Sequence, residues 1–162
     1  RAGILGETEM WQRFYDAFQR GLADNKLGDQ PLQLVSDQME QNGAFMRVYW
    51  SGAWYFLAAD TRLRLQSGGK LNLDMALEKL NRCCAERSMS VPEMVAQLDQ
   101  LNRVLLFEGL YKEVAASTNV PSFDGIFASM GIEIRAGKIH LQDNGPGAKL
   151  RQGIFSGPPA LP

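Results

Sequence analysis

Met46-Arg47-Val48-Tyr49-Trp50-Ser51-Gly52-Ala53-Trp54-Tyr55-Phe56-Leu57-Ala58-Ala59-Asp60-Thr61-Arg62-Leu63-Arg64-Leu65 is the stretch that decides the fold. From Val48 to Ala59 it is apolar on nearly every face of a helix, the pattern of a helix buried between neighbours. Asp60, Arg62 and Arg64 crowd its far end, which predicts that this end emerges into solvent. Ser67-Gly68-Gly69 stops it.

A buried helix needs partners, and the sequence supplies them on both sides. Met10, Trp11, Phe14, Tyr15, Phe18 and Leu22 recur at helical spacing and predict an amphipathic helix over about residues 7–23. Gly28 to Pro31 marks a turn, a shorter helix is expected from Pro31 to Met39, and Asn42-Gly43 is a break. Beyond the central stretch, Leu73, Ala76, Leu77, Leu80, Cys83 and Cys84 form one stripe of a helix over 73–86. Asp74, Glu78, Lys79, Arg82 and Glu86 line its other side, with Glu78 four residues before Arg82 in the favourable orientation. Ser90-Val91-Pro92-Glu93 reads as a capping box that opens another helix, with Val91, Met94, Val95, Leu98 and Leu101 on one face. A helix over about 104–116 and a short one after Pro121 follow. Only at Ile132 does the period change to two, where Ile132, Ile134, Ile139 and Leu141 flank Ala136-Gly137 and predict a small β-hairpin. The expected fold is therefore all-α, an irregular multi-helix bundle or short superhelix with a small C-terminal hairpin, over residues 1–142. Residues 143–162, rich in Gly and Pro, read as a poorly ordered tail or linker.

The bulk numbers exclude several partner classes. With 162 residues, 45% of them hydrophobic, the chain can bury one ordinary core. Seventeen basic side chains against eighteen acidic ones leave a net charge of -1, which gives no electrostatic reason to expect nucleic acid or an anionic membrane. The longest apolar run, Gly52 to Ala59, falls well short of the ~20 residues that span a bilayer. Cys83 and Cys84 are neighbours on a helix, where their side chains should diverge; they read as reduced thiols and point towards a reducing, cytoplasmic compartment. The chain opens on Arg1-Ala2-Gly3 without an initiator Met and closes on Gly157-Pro158-Pro159-Ala160-Leu161-Pro162, so it reads as a segment of a longer protein or a processed product.

Chemistry-bearing motifs are scarce. His140, the one histidine, reads as a surface strand residue rather than a metal ligand, and no H-E-x-x-H, C-x-x-C, P-loop or dinucleotide-binding glycine pattern occurs. No metal ligand is therefore assigned within this chain. One feature stands out: Gly52 inside an apolar helix costs ~1 kcal/mol relative to Ala, so it implies close approach of another backbone or of a substrate. Tyr49, Gly52, Ala53 and Phe56 share one face. That face reads either as tight core packing, with Tyr49 hydrogen-bonded at its edge, or as the lining of a cleft.

Val48-Tyr49-x-x-Gly52-Ala53, followed by an apolar helix that ends in Asp60-Thr61-Arg62-Leu63-Arg64, resembles the Tyr-x-x-Gly-Ala helix of the gluzincin aminopeptidases. The match looks closest to the glycyl aminopeptidase family, whose members often carry a PDZ domain. Arg1 to Leu5 is similar to the segment after that family's zinc-binding helices. Gly68 to Asp74, Ser90 to Leu101, Phe107 to Tyr111 and residues 121–134 resemble its later elements in order, so the resemblance covers about residues 1–135. It implies that the parent protein is a zinc metallopeptidase, a hydrolase whose zinc ligands and general base lie in an upstream domain of the same polypeptide. The resemblance further implies that Tyr49 donates its phenolic hydrogen to the oxyanion forming on a peptide substrate, with Gly52 and Ala53 lining the cleft. This chain alone would then be inactive and hold no cofactor, zinc belonging to the parent. The rival reading is a non-catalytic helical interaction module, binding a partner through the stripe Trp11, Phe14, Tyr15, Phe18 or through the flank of the 104–116 helix.

Overall fold

The computed structural model describes residues 4–24 and 26–156. Among them the chain runs α1 (Glu7–Ala23), α2 (Leu32–Asp37), α3 (Met39–Asn42), α4 (Phe45–Ser67), α5 (Leu73–Cys84), α6 (Val91–Asn102), α7 (Phe107–Ala116), α8 (Asp124–Ser129), β1 (Ile132–Arg135), β2 (Lys138–Leu141) and α9 (Gly145–Ser156). The protein is thus all-α with one small antiparallel hairpin. No described helix is long and apolar enough to cross a membrane.

The central helix α4 packs against α1, α2, α3, α5, α7, α8 and α9. Around it close Trp11 and Phe18 of α1, Leu98 of α6, Phe107 and Leu110 of α7, and Phe123, Phe127 and Met130 at the α8 end, all buried. Each such side chain contributes ~1.5–3 kcal/mol through burial. The stripe that the interaction-module reading would place on a surface is thereby core: Trp11 and Phe18 are sealed, and Phe14 and Tyr15 pack half-buried against them. Helix α1 crosses α4 at Gly21, where a Cβ would stand 2.2 Å from the Trp50 ring.

Helix α4 is buried at Trp54, Tyr55 and Leu57 to Ala59 as expected, but departs from the expectation elsewhere. Its C-terminal half is enclosed from Leu57 through Thr61, whereas Tyr49 and Phe56 in the apolar half are exposed. Asp60 and Arg64, expected in solvent, are buried, and only Arg62 of the trio is exposed. Hydrogen bonding explains the reversal. Asp60 accepts from Arg64 Nε at 3.0 Å and from the Leu73 backbone N–H at 2.8 Å, so its charge is compensated inside and the start of α5 is tied to α4.

The helix boundaries follow their caps. Gly68 ends α4 in the left-handed conformation at φ 61°. Asn72 caps α5 by accepting from the Met75 N–H, and Ser90 and Glu93 form the expected capping box at α6. Arg103 at φ 54° ends α6, so α7 starts at Phe107 rather than near Val104. There Asp99 accepts from the N–H groups of Leu106, Phe107 and Glu108, a cap supplied from the preceding helix. The helix expected over 31–39 is divided at Gln38 into α2 and α3. On α5 only Ala76 and Cys84 are buried, while Leu77 and Cys83 are exposed. Cys83 and Cys84, expected to have diverging side chains, instead bring their sulfurs together near the end of α5.

The hairpin pairs Ile132 with Leu141 and Ile134 with Ile139 around Ala136 and Gly137, whose positive φ angles of 49° and 75° suit a two-residue turn. Gln12 of α1 holds it, accepting from the Ile139 N–H at 3.0 Å and donating to the Gly137 carbonyl at 3.1 Å.

Residues expected as a poorly ordered tail form α9 instead, up to Ser156; 157–162 lie outside the described residues. The glycines here serve packing. A Cβ on Gly147 would stand 2.7 Å from the Gly131 nitrogen, so only glycine lets α9 approach the α8–β1 turn. Arg151, 2% exposed, then anchors the helix. It donates to Glu7 at 2.8 Å, to the Met130 and Gly131 carbonyls at 3.0 and 3.2 Å, and to the Gln142 carbonyl at 2.8 Å.

Candidate functional site

Helix α4 carries two phenols six residues apart, and their surroundings are opposite. Tyr55 is buried and donates to the Phe107 carbonyl at 3.1 Å. Burial, reinforced by the negative charge of Asp99, pushes its hydroxyl well above the ordinary tyrosine range, so it is a fixed neutral strut. Tyr49 is 61% exposed, and its hydroxyl has no hydrogen-bond partner among the described residues. Its ring lies beside Phe45, centroids 6.3 Å apart. The packing alternative for this face, in which Tyr49 is hydrogen-bonded at a core edge, does not describe the molecule.

Gly52 follows three residues later on the same side of the helix. A Cβ there would meet nothing within 4 Å, so no backbone of the described chain approaches it. The close approach that a helical glycine implies occurs instead at Gly21. Gly52 opens onto a groove of about 470 Å³ walled by α2, α4, α6 and α7. Phe56, 42% exposed, stands on its rim, and Val91, 50% exposed, faces in from the start of α6. Deeper in lie Val48, Met94, Tyr111 and Val114. The structure therefore puts Gly52 and Phe56 in one concavity and leaves Tyr49 just outside it, on the same face of α4. Half-buried Ala53 does not line the groove.

The α2, α6 and α7 walls were not foreseen. A signal for them was present: Val91, at the first position of α6, is an apolar residue where a solvated first turn has no use for one. Helix α7, whose exposed flank the interaction-module reading named as a binding surface, contributes half-buried Tyr111 and buried Val114 to the groove.

His140 is exposed on β2, opposite Glu133. Glu133 is held below the usual carboxylate range by hydrogen bonds from Gln142 and Arg135. Among the described residues no three His, Cys, Asp or Glu side chains are placed to hold a metal ion. No family model matches the chain, and no match was found among the curated proteins or the solved structures.

Proposed function

We propose that this chain forms one wall of a peptidase cleft, where Tyr49 donates its phenolic hydrogen to the oxyanion that develops on a scissile carbonyl. The observation that carries the reading is the exposed, unpartnered Tyr49 hydroxyl beside a glycine notch that nothing in the described chain fills. A phenol is a neutral donor at neutral pH, and its ring fixes where the hydrogen points. Phe45 supports that ring from the preceding turn. The first turn of α4 carries no acidic residue and no side-chain cap, so the positive end of its dipole also favours a nearby developing anion. The nucleophile, the general base and any metal belong to the upstream domain of the proposed parent peptidase, and no step is assigned to them here.

Tyr49→Phe in the full-length protein tests the reading. It keeps the ring and removes one donor from an exposed site. The expected outcome is a loss of ~10²–10³ in kcat with KM little changed and an unaltered melting temperature. Wild-type kcat in Tyr49→Phe would sink the proposal. The exposed apolar line Phe45, Met46, Tyr49 and Phe56 also favours a second reading, a helical interaction module using this same face. In that case Tyr49→Phe is silent, and partner binding is lost only in Tyr49→Ala.

A further inference from the structure

The groove beside Gly52 is chemically lopsided. Its α4, α6 and α7 walls present apolar and aromatic side chains, with the phenols of Tyr55 and Tyr111 among them, whereas its other polar lining residues, Gln33, Ser36 and Asp37, all come from α2. Their spacing of three and four places them on one helix face. Beyond Ser36 and Asp37 this edge continues into a second depression of about 240 Å³ that adds Glu40. No lysine or arginine lines either concavity. Neither Asp37 nor Glu40 has an ion-pair partner among the described residues.

We infer that the groove takes a peptide segment with bulky apolar side chains followed by lysine or arginine. The apolar part lies against Val48, Phe56, Val91 and Met94, and the cation sits at the Asp37–Glu40 edge. That the occupant is a peptide rests on the peptidase reading of Tyr49; its polarity rests on the groove itself. A volume of about 470 Å³ holds a few large side chains. The floor offers few polar groups: the Tyr55 hydroxyl already donates to Phe107, which leaves the Tyr111 hydroxyl. A polar occupant would therefore lose more hydration than one phenol can replace. An apolar occupant removes water from the exposed rims of Phe56 and Val91. Two unpaired carboxylates at one end set the occupant's direction by repelling anionic ends and attracting cationic ones.

The test uses the 162-residue chain and fluorescence anisotropy with three labelled hexapeptides: three leucines followed by three lysines, three leucines followed by three glutamates, and three glycines followed by three lysines. The first should bind about tenfold or more tightly than either of the others, with an affinity that falls as salt rises. Asp37→Asn should weaken it about two- to fivefold and flatten the salt dependence. Gly52→Leu fills the notch and should abolish binding while the melting temperature holds or rises. Phe56→Asp, on the exposed rim, should give the same loss through a second residue. Equal binding of the lysine and glutamate peptides, or undiminished binding to both Gly52→Leu and Phe56→Asp, overturns the inference. A full-length peptidase whose 162-residue portion cannot tell the probes apart sinks the groove assignment alone. Selective binding alongside a fully active Tyr49→Phe enzyme sinks the peptidase reading alone.

Discussion

Gly21 and Gly52 sit in helices that pack together, and a single methyl group tells them apart. At Gly21 the methyl would be driven into Trp50, whose Cβ is only 2.6 Å from the added carbon, so the ring cannot simply swing aside. Gly21→Ala should therefore cost ~1–3 kcal/mol through overpacking. At Gly52 the methyl meets nothing, and Gly52→Ala should gain ~1 kcal/mol of helix stability. The two variants should shift the thermal midpoint in opposite directions, Gly52→Ala upward by about 3 °C. From sequence alone the two glycines look alike, since each interrupts a helical apolar pattern. Which one touches a neighbour depends on how α1 crosses α4, and no local spacing encodes that crossing.

Tyr55 makes a second prediction at the same scale. Its hydroxyl ionises in the unfolded chain near pH ~10 but is held neutral above that value when folded. Because its folded-state pKa is raised, its stabilising contribution is intact below about pH 10 and is lost as pH rises above it. Urea midpoints measured at increasing alkaline pH should fall, and Tyr55→Phe should remove part of that fall. At neutral pH the same variant should cost ~1 kcal/mol for the missing bond to Phe107.

Among the elements, those with strong local signals were legible, and those built on long-range bonds were not. The capping box at Ser90, the stop at Gly68 and the two-strand period around Ala136-Gly137 are local chemistry, and the structure follows them. The start of α7 depends on Asp99 reaching forward to three backbone N–H groups, and the buried end of α4 depends on Asp60 meeting Leu73. A carboxylate in a sequence looks solvated until its donors are known. Helix α9 is the largest such departure. Gly145, Gly147 and Gly153 resemble linker chemistry, yet Gly147 permits contact with Gly131, and Arg151 gathers carbonyls from three places. Arg151→Met should cost about 3 kcal/mol, because it leaves those carbonyls and Glu7 without their donor. Amide exchange along β1 and β2 should quicken in that variant while α6 and α7 stay protected.

For the molecule as a whole, the sequence conveyed an all-α body with a terminal hairpin, and it conveyed Tyr49, Gly52 and Phe56 as one helix face. It did not convey the groove, because three of the four groove walls come from α2, α6 and α7, brought together only by tertiary packing. The expectation that α4 is enclosed from Val48 to Ala59 failed at Tyr49 and Phe56 for the same reason: there the helix faces an opening rather than a neighbour.

The bond from Arg151 to Glu7 has a mechanical consequence. It clips the last helix to the beginning of the first, and Gly153 of α9 lies against the Arg64 guanidinium. The start of α1 and the end of α9 are thus gathered near the far end of α4. At ~1.5 Å of rise per residue, that junction lies ~18 Å along the axis from Gly52. A segment leading into Glu7 and one leaving α9 therefore join the body at one place, well away from the glycine notch.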